Sequence, residues 1–358
     1  MKKILFIIPT LTQTNGVAAF MINYIRYFKL NSFKVEVIYN DLRTSKSHLE
    51  FFQEKKIPTY KLPYVRNVGI KKYCKEIRSF FDKHNDYDLI YSNISYQTYF
   101  FYREAKKHGI NKFAIHAHAT KSSDNRLKNI FGDIIQKKLN KCINYKFACS
   151  DLAGKAMFNN DDFTVINNAI DYKKYEFNNI YRNEIRKKYK LTDNDIVLGF
   201  IGRFVPQKNI FFFIKLIQQM DKNYKMLMIG NGYLKKDFEK KVREEKLDDR
   251  FIFIEEIPNV NEYYSAFDYF LLPSLYEGLP VVGVEAQANG LPVLFSNKIS
   301  DECKISSNTF YLDIENIRAW KECIKNTNRN QHLTLNDDFN IEMQSKRFEN
   351  IIKNILKK

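Results

Sequence analysis

The sequence lacks any apolar run long enough to cross a bilayer. A membrane-spanning helix needs roughly 20 consecutive apolar residues, whereas Ile4–Pro9, Ile210–Ile214 and Tyr269–Pro273 are each no longer than one strand. The first of these runs also ends too early to be the apolar core of a signal peptide. We therefore predict no transmembrane helix, and we interpret Ile4–Ile8 as the first β-strand.

Cysteine is scarce and is not arranged in pairs. The five cysteines are odd in number and none follows a CxxC spacing: Cys74, Cys142, Cys149, Cys303 and Cys323. This pattern argues against a disulfide framework and against a structural zinc site, and it favours the reducing cytoplasm. The sequence also offers no acidic DxD-like pair in a suitable loop and no cluster of metal-ligating residues. We expect no metal and no cofactor.

Negative charge is the minority sign, and the imbalance is uneven along the chain. Lys and Arg number 58 against 41 Asp and Glu, a net charge of +17. Residues 1–170 hold 28 basic and 14 acidic residues, whereas residues 171–358 hold 30 and 27. The first half is therefore expected to meet an anionic partner: nucleic acid, an anionic membrane face or a phosphorylated substrate. Charge alone does not choose among these, and a merely soluble basic surface is the remaining alternative.

Short apolar runs alternate with helical patterns, which is typical of βαβ units around a parallel sheet. One series of strands extends from Ile4–Ile8 to Thr164–Ile166. The polar segment Tyr172–Asn194 follows and is interpreted as a linker that leads into a helix. A second series of strands extends from Ile196–Ile201 to Thr309–Tyr311, so the chain is predicted to contain two doubly wound sheets.

These patterns predict an α/β architecture of two Rossmann-like domains that face each other across a cleft. Residues 1–172 are predicted to form the N-terminal domain, and residues 173–340 are predicted to form the C-terminal domain. Apolar residues at helical spacing in 341–358 predict a terminal helix that packs back on the N-terminal domain.

Ligands of doubly wound sheets bind beyond the carboxyl ends of the strands, so loops there that carry glycine and charge are candidate sites. Gly16 lies in the first such loop, just before a helix N-terminus that offers free N–H groups. In a later loop Gly202 ends a strand, and Arg203 and Lys208 follow before the next helix. Two cations beside a helix N-terminus suit a diphosphate. Gly230, after the next strand, is added because of its position in the same row of loops.

The richest loop lies between Pro273 and Val293 and carries two glutamates. Glu277 lies in the loop and Glu285 in the helix that follows, so their carboxylates should be about 8 Å apart along the helix axis. That distance matches a nucleotide sugar, with one carboxylate on the sugar hydroxyls and the other on the ribose. Gly278 permits a close approach between them.

These residues resemble family 4 of the retaining glycosyltransferases, which have the GT-B fold. The resemblance covers essentially the whole chain, and its most specific element is the Glu277–Glu285 pair in E-x7-E spacing. Further segments are similar to the capsular and exopolysaccharide branch of the family: His116–His118, Phe147–Gly154 and Val165–Asp171. Many relatives have a second glycine where this chain has Asn15 before Gly16, and an acidic residue at Asn231.

The resemblance implies that the N-terminal domain binds the acceptor and that the C-terminal domain binds the nucleotide sugar. It also implies roles for individual residues. Arg203 and Lys208 would hold the donor diphosphate, Glu285 the ribose and Glu277 the transferred sugar. The donor-binding residues that it implies are Gly16, Gly202, Arg203, Lys208, Gly230, Glu277, Gly278, Leu279 and Glu285. The implied catalytic residues are His118, near donor sugar and acceptor, and Glu277. His116 is less favoured, because it is interpreted as a packing residue at the strand end.

The implied function is transfer of a hexose or N-acetylhexosamine, with retention and without a metal. The donor is a nucleoside diphosphate sugar, UDP-linked by family frequency, and the acceptor is a lipid-linked saccharide in capsule or exopolysaccharide biosynthesis. The implied partners are these substrates and an anionic membrane surface, not nucleic acid, at the inner face of the cell membrane. An amphipathic stretch at 126–146 is interpreted as packing on its own sheet with its lysines toward lipid; lying in the interface is the alternative. A GT-B sugar-nucleotide epimerase and a non-catalytic basic scaffold stay open as alternative functions.

Overall fold

The computed structural model describes residues 1–12, 15–28, 32–40, 48–118, 126–159, 162–277, 279–330 and 335–357, with side chains from residue 132 onward in the helix that begins at 126. The chain divides into two compact units. The first contains residues 1–169 and 341–358, and the second contains residues 170–340. Each unit is built around one parallel sheet, which confirms the prediction of two Rossmann-like domains.

The first unit has a seven-stranded sheet in the order β3-β2-β1-β4-β5-β6-β7. Its strands are β1 Lys3–Ile8, β2 Lys34–Tyr39, β3 Thr59–Lys61, β4 Leu89–Ser92, β5 Phe113–Ala117, β6 Tyr145–Ala148 and β7 Thr164–Val165. Its helices are α1 Gly16–Tyr27, α2 Leu49–Glu54, α3 Val65–Phe81, α4 Thr98–Lys107, α5 Arg126–Cys142, α6 Asp151–Phe158 and the C-terminal helix Ile341–Lys357. The strand order reverses beside β1, as in doubly wound folds that bind ligands at that point.

Both faces of the first sheet are covered by helices. Successive side chains of a strand point to opposite faces, so Ile4 and Phe6 pack with α1 while Leu5 and Ile7 pack with α3 and α4. The C-terminal helix belongs to the α1 face. Its buried Phe348 contacts the rings of Tyr24, Phe28 and Tyr91 there, which confirms the prediction that this helix packs on the N-terminal domain.

Helix α5 carries the amphipathic stripe. Its apolar side chains Ile135 and Leu139 are buried in the core of the sheet, as is Ile143 directly after the helix. The lysines beside them are exposed: Lys137, Lys138 and Lys141. Leu127, Ile130 and Phe131 lie outside the side chains that the structure describes. For the described part, the prediction that the stripe packs on its own sheet is confirmed, although Ile134 points outward at 53% exposure.

The second unit has a six-stranded sheet in the order β10-β9-β8-β11-β12-β13. Its strands are β8 Ile196–Ile201, β9 Tyr224–Ile229, β10 Phe251–Ile254, β11 Tyr269–Leu272, β12 Val293–Ser296 and β13 Thr309–Leu312. Its helices are α7 Tyr172–Tyr175, α8 Asn179–Lys188, α9 Phe212–Gln218, α10 Lys235–Glu244, α11 Val260–Tyr263, α12 Val281–Ala288 and α13 Ile317–Asn326. The carboxyl ends of these parallel strands share one edge of the sheet.

The segment Tyr172–Asn194 contains the helix that the sequence predicted there, but its remainder is not a linker, so that part of the interpretation was wrong. It contains α7 and α8, and the buried Arg186 of α8 fixes the second helix to the sheet. Its guanidinium donates to the carbonyls of Thr192 and Asp195 at 2.6 and 2.7 Å and pairs with Asp268. A polarity pattern predicts that an arginine is exposed, so nothing in the sequence indicated that Arg186 is buried.

Within the described ranges, no helix combines the length and the apolar character that crossing a membrane requires.

Candidate functional site

Two strand-to-helix loops of the second unit are joined at the carboxyl edge of its sheet. Because β8 and β11 are neighbours, the loops that follow them leave the sheet side by side. The backbone N–H of Leu275 donates to the Gln207 carbonyl at 2.8 Å, and the Gln207 amide donates to the Tyr276 carbonyl at 3.0 Å. These bonds fix the two loops to each other.

Lys208 and Glu277 form an ion pair at the junction of these loops. The Lys208 ammonium lies 2.5 Å from Glu277 Oε1, and each side chain is only 11% exposed. Lysine carries three donors and no acceptor, so the same ammonium can hold Glu277 and still donate to phosphate oxygens. The pair therefore places a cation, which suits a phosphate group, beside a hydrogen-bond acceptor, which suits a sugar hydroxyl. A sugar diphosphate carries both groups.

Gly202 and Arg203 lie in the same loop as Lys208. A Cβ at Gly202 would lie 3.0 Å from the Phe200 ring and 3.5 Å from Lys208 Cε, so the glycine leaves room for the lysine stem. Arg203 is exposed. The diphosphate role of these residues stays a prediction.

Gly230 brings the loop after β9 against the loop after β8. Its φ is +140°, and a Cβ there would lie 2.1 Å from the Gly202 carbonyl oxygen. A Cβ at Gly232, whose φ is +159°, would lie 2.4 Å from the Phe204 carbonyl oxygen. The Phe204 N–H donates to the Asn231 carbonyl at 2.9 Å. Gly230 thus permits the backbone approach that positions the loop after β8, which we call the cation loop because it carries Arg203 and Lys208. The contact of Gly230 with a donor stays a prediction.

Asn231 contacts an acidic residue from the neighbouring strand. Its amide donates to Glu255 Oε2 at 3.0 Å, and Lys235 forms an ion pair with the same carboxylate. Glu255 directly follows β10, so a carboxylate reaches this loop although residue 231 is not itself acidic.

Glu285 lies on α12 and is held by two tyrosines that the sequence analysis missed. Tyr175 donates to Glu285 Oε1 at 2.8 Å, and Tyr264 donates to Oε2 at 2.6 Å. Burial raises the pKa of the Glu285 carboxyl. A carboxylate has about four acceptor positions, so two hydrogen bonds leave capacity for a further hydroxyl. Leu279 packs against the core just before the helix, and Gly278 lies outside the described residues.

Nothing in the sequence pattern marked Tyr175 or Tyr264 as partners of Glu285. Tyr175 is 110 residues distant in sequence and lies in the segment interpreted as a linker. The Asn289 amide fixes it by donating to the Tyr175 carbonyl at 2.7 Å. The sequence gives only an indirect indication of this contact. Glu285 and Asn289 are four residues apart and therefore lie on one face of α12 and its C-cap, where both can contact Tyr175.

His118 lies in the first unit, directly after β5. Its Nε2 is 2.9 Å from Asn93 Oδ1, and Asn93 Nδ2 donates to the Ile7 carbonyl at 3.3 Å. This assignment makes Nε2 the donor and leaves Nδ1 as an acceptor. Burial lowers the pKa of His118 to about 3, so the ring is a neutral hydrogen-bonding group. Asn93 is a second residue that the sequence analysis did not single out.

His116 is buried inside the sheet and stacks on His118 with ring centroids 4.2 Å apart. Its Nδ1 lies 2.8 Å from the Tyr91 hydroxyl. Burial and the neighbouring His118 hold the pKa of His116 well below 6.5. This environment agrees with the interpretation of His116 as a packing residue.

We expect the unfolding free energy of the first unit to fall as the pH drops below 6.5. The unfolded chain protonates His116 and His118 near pH 6.5, whereas the folded unit keeps both neutral because their pKa values are lowered. The unfolded state then binds more protons, so stability decreases with falling pH, by about 1.4 kcal/mol per pH unit for each histidine. Hydrogen-exchange protection factors of the β5 amides, corrected for intrinsic exchange, measure this unfolding free energy between pH 7 and pH 5. His118→Asn should reduce the slope, and equal protection at both pH values would contradict the expectation.

Gly16 begins α1, and the Asn15 side chain caps that helix by accepting from the Ala18 N–H at 3.0 Å. Among the described residues, apart from its chain neighbours and the backbone of its own helix, none has an atom within 4 Å of a Cβ placed on Gly16, and the residue is exposed. The protein interior therefore does not require glycine here, and the predicted donor contact of Gly16 stays a prediction.

Among the residues that the structure describes, no group of three or more His, Cys, Asp or Glu side chains is placed to hold a metal ion. The described candidate residues thus divide between the units: Gly202, Arg203, Lys208, Gly230, Glu277, Leu279 and Glu285 lie in the second, whereas Gly16 and His118 lie in the first. Lys208 and Glu277 are in direct contact, while Glu285 has its own partners.

Residues 181–337 match the family model described as Glycosyl transferases group 1. EpsF of Bacillus subtilis (strain 168), a glycosyltransferase by name, is 25% identical over 255 residues, which is 68% of this chain and 66% of the relative. An Escherichia coli protein, named UDP-Gal:alpha-D-GlcNAc-diphosphoundecaprenol alpha-1,3-galactosyltransferase, is 27% identical over 53% of this chain and 49% of its own length. CapH of Staphylococcus aureus, a capsular polysaccharide biosynthesis glycosyltransferase, is 29% identical over 50% and 52%.

These alignments span half to two thirds of the curated relatives' length. A structural likeness covers the whole chain: Anabaena HepE, solved in complex with UDP and glucose, has a TM-score of 0.76 at 17% identity, with all of both chains covered. At this identity the likeness establishes the fold, which is GT-B.

Proposed function

Since residues 181–337 form a glycosyl transferases group 1 domain, we propose that the protein transfers a sugar from a nucleoside diphosphate donor to a saccharide acceptor. The observation that carries this proposal is the Lys208–Glu277 pair at the junction of two loops. It offers a phosphate ligand and a sugar-hydroxyl ligand a few ångströms apart. A nucleotide sugar presents those two groups in adjacent positions.

We assign Glu285 to the ribose and the cation loop to the diphosphate. As the glycosidic bond breaks, negative charge grows on the departing diphosphate. Lys208 and Arg203 can stabilise it without rearrangement because their loop is already fixed by backbone bonds. The departing phosphate oxygen helps to remove the acceptor proton on the same face of the sugar, so we propose retention of the anomeric configuration. No step in this proposal needs a metal.

The acceptor side is proposed from the relatives and from the first unit. One relative is named for transfer onto a diphosphoundecaprenol-linked sugar, and another for capsular polysaccharide biosynthesis. We propose a lipid-linked saccharide acceptor in capsule or exopolysaccharide synthesis, a UDP-linked hexose or N-acetylhexosamine donor, and peripheral location at the cytoplasmic membrane face. The neutral His118 would accept a hydrogen bond from the acceptor or the sugar through Nδ1.

The test is a panel of UDP-, GDP- and ADP-sugars assayed with lipid-linked saccharides, with and without EDTA. We expect transfer from one donor, an α-linked product from an α-linked donor by NMR, and unchanged turnover in EDTA. An inverted product would refute retention, and loss in EDTA would refute metal independence. A sugar nucleotide that is isomerised without any acceptor would instead identify an epimerase, and no turnover with any donor would refute the enzyme.

Replacing Glu285 by alanine is expected to lower kcat/KM for the donor by about 100-fold, because hydrogen bonds to a charged group contribute roughly 1.5–3 kcal/mol. The loss should appear mainly in donor affinity, measured by calorimetry with the nucleoside diphosphate. The exposed Glu322 of α13 provides a matched control, since Glu322→Ala removes the same group away from the loops. Retained turnover in Glu285→Ala would remove this residue from the mechanism.

A further inference from the structure

One helical layer of the first unit accounts for most of the chain's net positive charge. Helices α3, α4 and α5 pack in a row on one face of the sheet, with α4 in contact with both others. Together they contain thirteen Lys and Arg and three Asp and Glu, a net charge of +10 out of +17 for the whole chain. We call these three helices the basic layer.

The described cations of the basic layer all face solvent. The following side chains are exposed: Arg66, Lys71, Lys72, Lys75, Arg78, Arg103, Lys106, Lys107, Lys137, Lys138 and Lys141. Of the three acids, Glu104 is buried and is bonded by Arg78 at 3.1 Å and by Lys107 at 2.9 Å. Its charge is already included in the net charge of +10, so the outer surface is left strongly positive.

The opposite helical layer of the same unit is nearly neutral. Helices α1 and α2 and the C-terminal helix contain five Lys and Arg and four Asp and Glu, a net charge of +1. A charge that served only solubility would have no reason to collect on one side of a sheet. The asymmetry points to an extended anionic partner on the side of the basic layer.

Two large apolar side chains are exposed among those that the structure describes on the basic layer. Ile70 of α3 is 44% exposed and Ile134 of α5 is 53% exposed. Ile70 directly follows the kink of α3 at Gly69, whose φ is +75°. Aliphatic side chains among lysines suit an interface in which lipid headgroups contact the cations and acyl chains contact the isoleucines.

We propose that the basic layer docks the protein on an anionic phospholipid bilayer. Single-stranded nucleic acid would instead be expected to stack on exposed aromatic rings, whereas the described aromatic side chains of α3, α4 and α5 are buried or half-buried. This inference deepens the proposed function, because it rests on a lipid-linked acceptor for its biological meaning. Binding itself needs neither donor nor acceptor, so it can be tested without turnover.

The test measures binding to phosphatidylglycerol-rich and to phosphatidylcholine vesicles at low salt. Wild type should prefer the anionic vesicles. A triple variant with one change in each helix, Lys71→Gln, Lys106→Gln and Lys138→Gln, should bind them roughly 100-fold more weakly, since each basic residue near such a surface contributes on the order of 1 kcal/mol. Ile134→Ser should weaken binding further at high salt, where only apolar contacts persist.

A matched triple variant controls for total charge. Lys187→Gln, Lys222→Gln and Lys236→Gln remove three exposed lysines of the second unit and should leave vesicle binding unchanged. Equal losses in both triples, no preference for anionic vesicles, or tighter binding to a short RNA at the same salt would each overturn the proposal. If vesicles bind as expected while no donor is turned over, the docking surface stands and the transferase assignment fails.

Discussion

Replacing Lys208 by methionine is expected to lower kcat/KM for the donor by roughly 1000-fold, or about 4 kcal/mol, because truncating one member of a desolvated charge pair costs 2–5 kcal/mol. The substitution keeps the length of the stem but removes the only charge that faces Glu277 in the ion pair. It therefore leaves Glu277 without its cation, and it removes one of the two cations that we propose as ligands of the diphosphate. Steady-state kinetics together with calorimetry of the nucleoside diphosphate measure both effects.

Lys215→Met provides the control for this substitution. Lys215 is exposed on α9, the helix that follows the same loop, so the chemical change is identical and its expected effect is less than twofold. Lys208→Arg should recover part of the activity, since it restores the charge with a different geometry. If Lys208→Met were as active as Lys215→Met, the ion pair would have only a structural role.

Replacing Gly230 by alanine is expected to lower the unfolding free energy of the second unit by about 3–5 kcal/mol. The added Cβ would lie 2.1 Å from the Gly202 carbonyl oxygen, at a φ of +140°. Backbone strain of about 1–3 kcal/mol and overpacking of similar size add together here. Trp320 is the chain's only tryptophan and is fully buried in the second unit, so its fluorescence during urea unfolding reports on this unit.

Asn231→Ala is the neighbouring control for Gly230→Ala. Asn231 is exposed, and its side chain bonds only at the surface of the loop, so the expected loss is within about 1 kcal/mol. A Gly230→Ala protein with the wild-type urea midpoint would mean that the two loops separate at little cost. In that event, Gly230 would have no part in positioning the cation loop.

The strands that the sequence predicts best are short apolar runs bounded by polar residues. The predicted strand Ile196–Ile201 has the observed bounds of β8, because strands buried on both faces are apolar throughout. The three-residue edge strand β3 was missed because Thr59–Lys61 is polar and only half-buried. Helix α13 was missed because Trp320 and Ile324 are its only buried residues.

The candidate site also contains some residues that local sequence patterns predict and others that they do not. Glycine and charge in loops at one sheet edge suffice to single out Lys208 and Glu277, because strand order places those loops side by side. The hydrogen bonds from Tyr175 and Tyr264 to Glu285 join residues that are 110 and 21 positions apart in the sequence. No local sequence pattern encodes such contacts. The same holds for Asn93 and His118, which come from two adjacent strands.

The C-terminal helix determines the order in which the two units can finish folding during translation, because the first unit needs this helix. Phe348 and Ile352 belong to the same core as Tyr24 and Phe28, yet the ribosome synthesises the entire second unit between them. The nascent first unit must therefore wait, with an apolar groove uncovered, while some 170 residues emerge and fold. Over that interval it is a natural client for chaperones, whereas the second unit, whose residues are contiguous, can fold as soon as it leaves the exit tunnel.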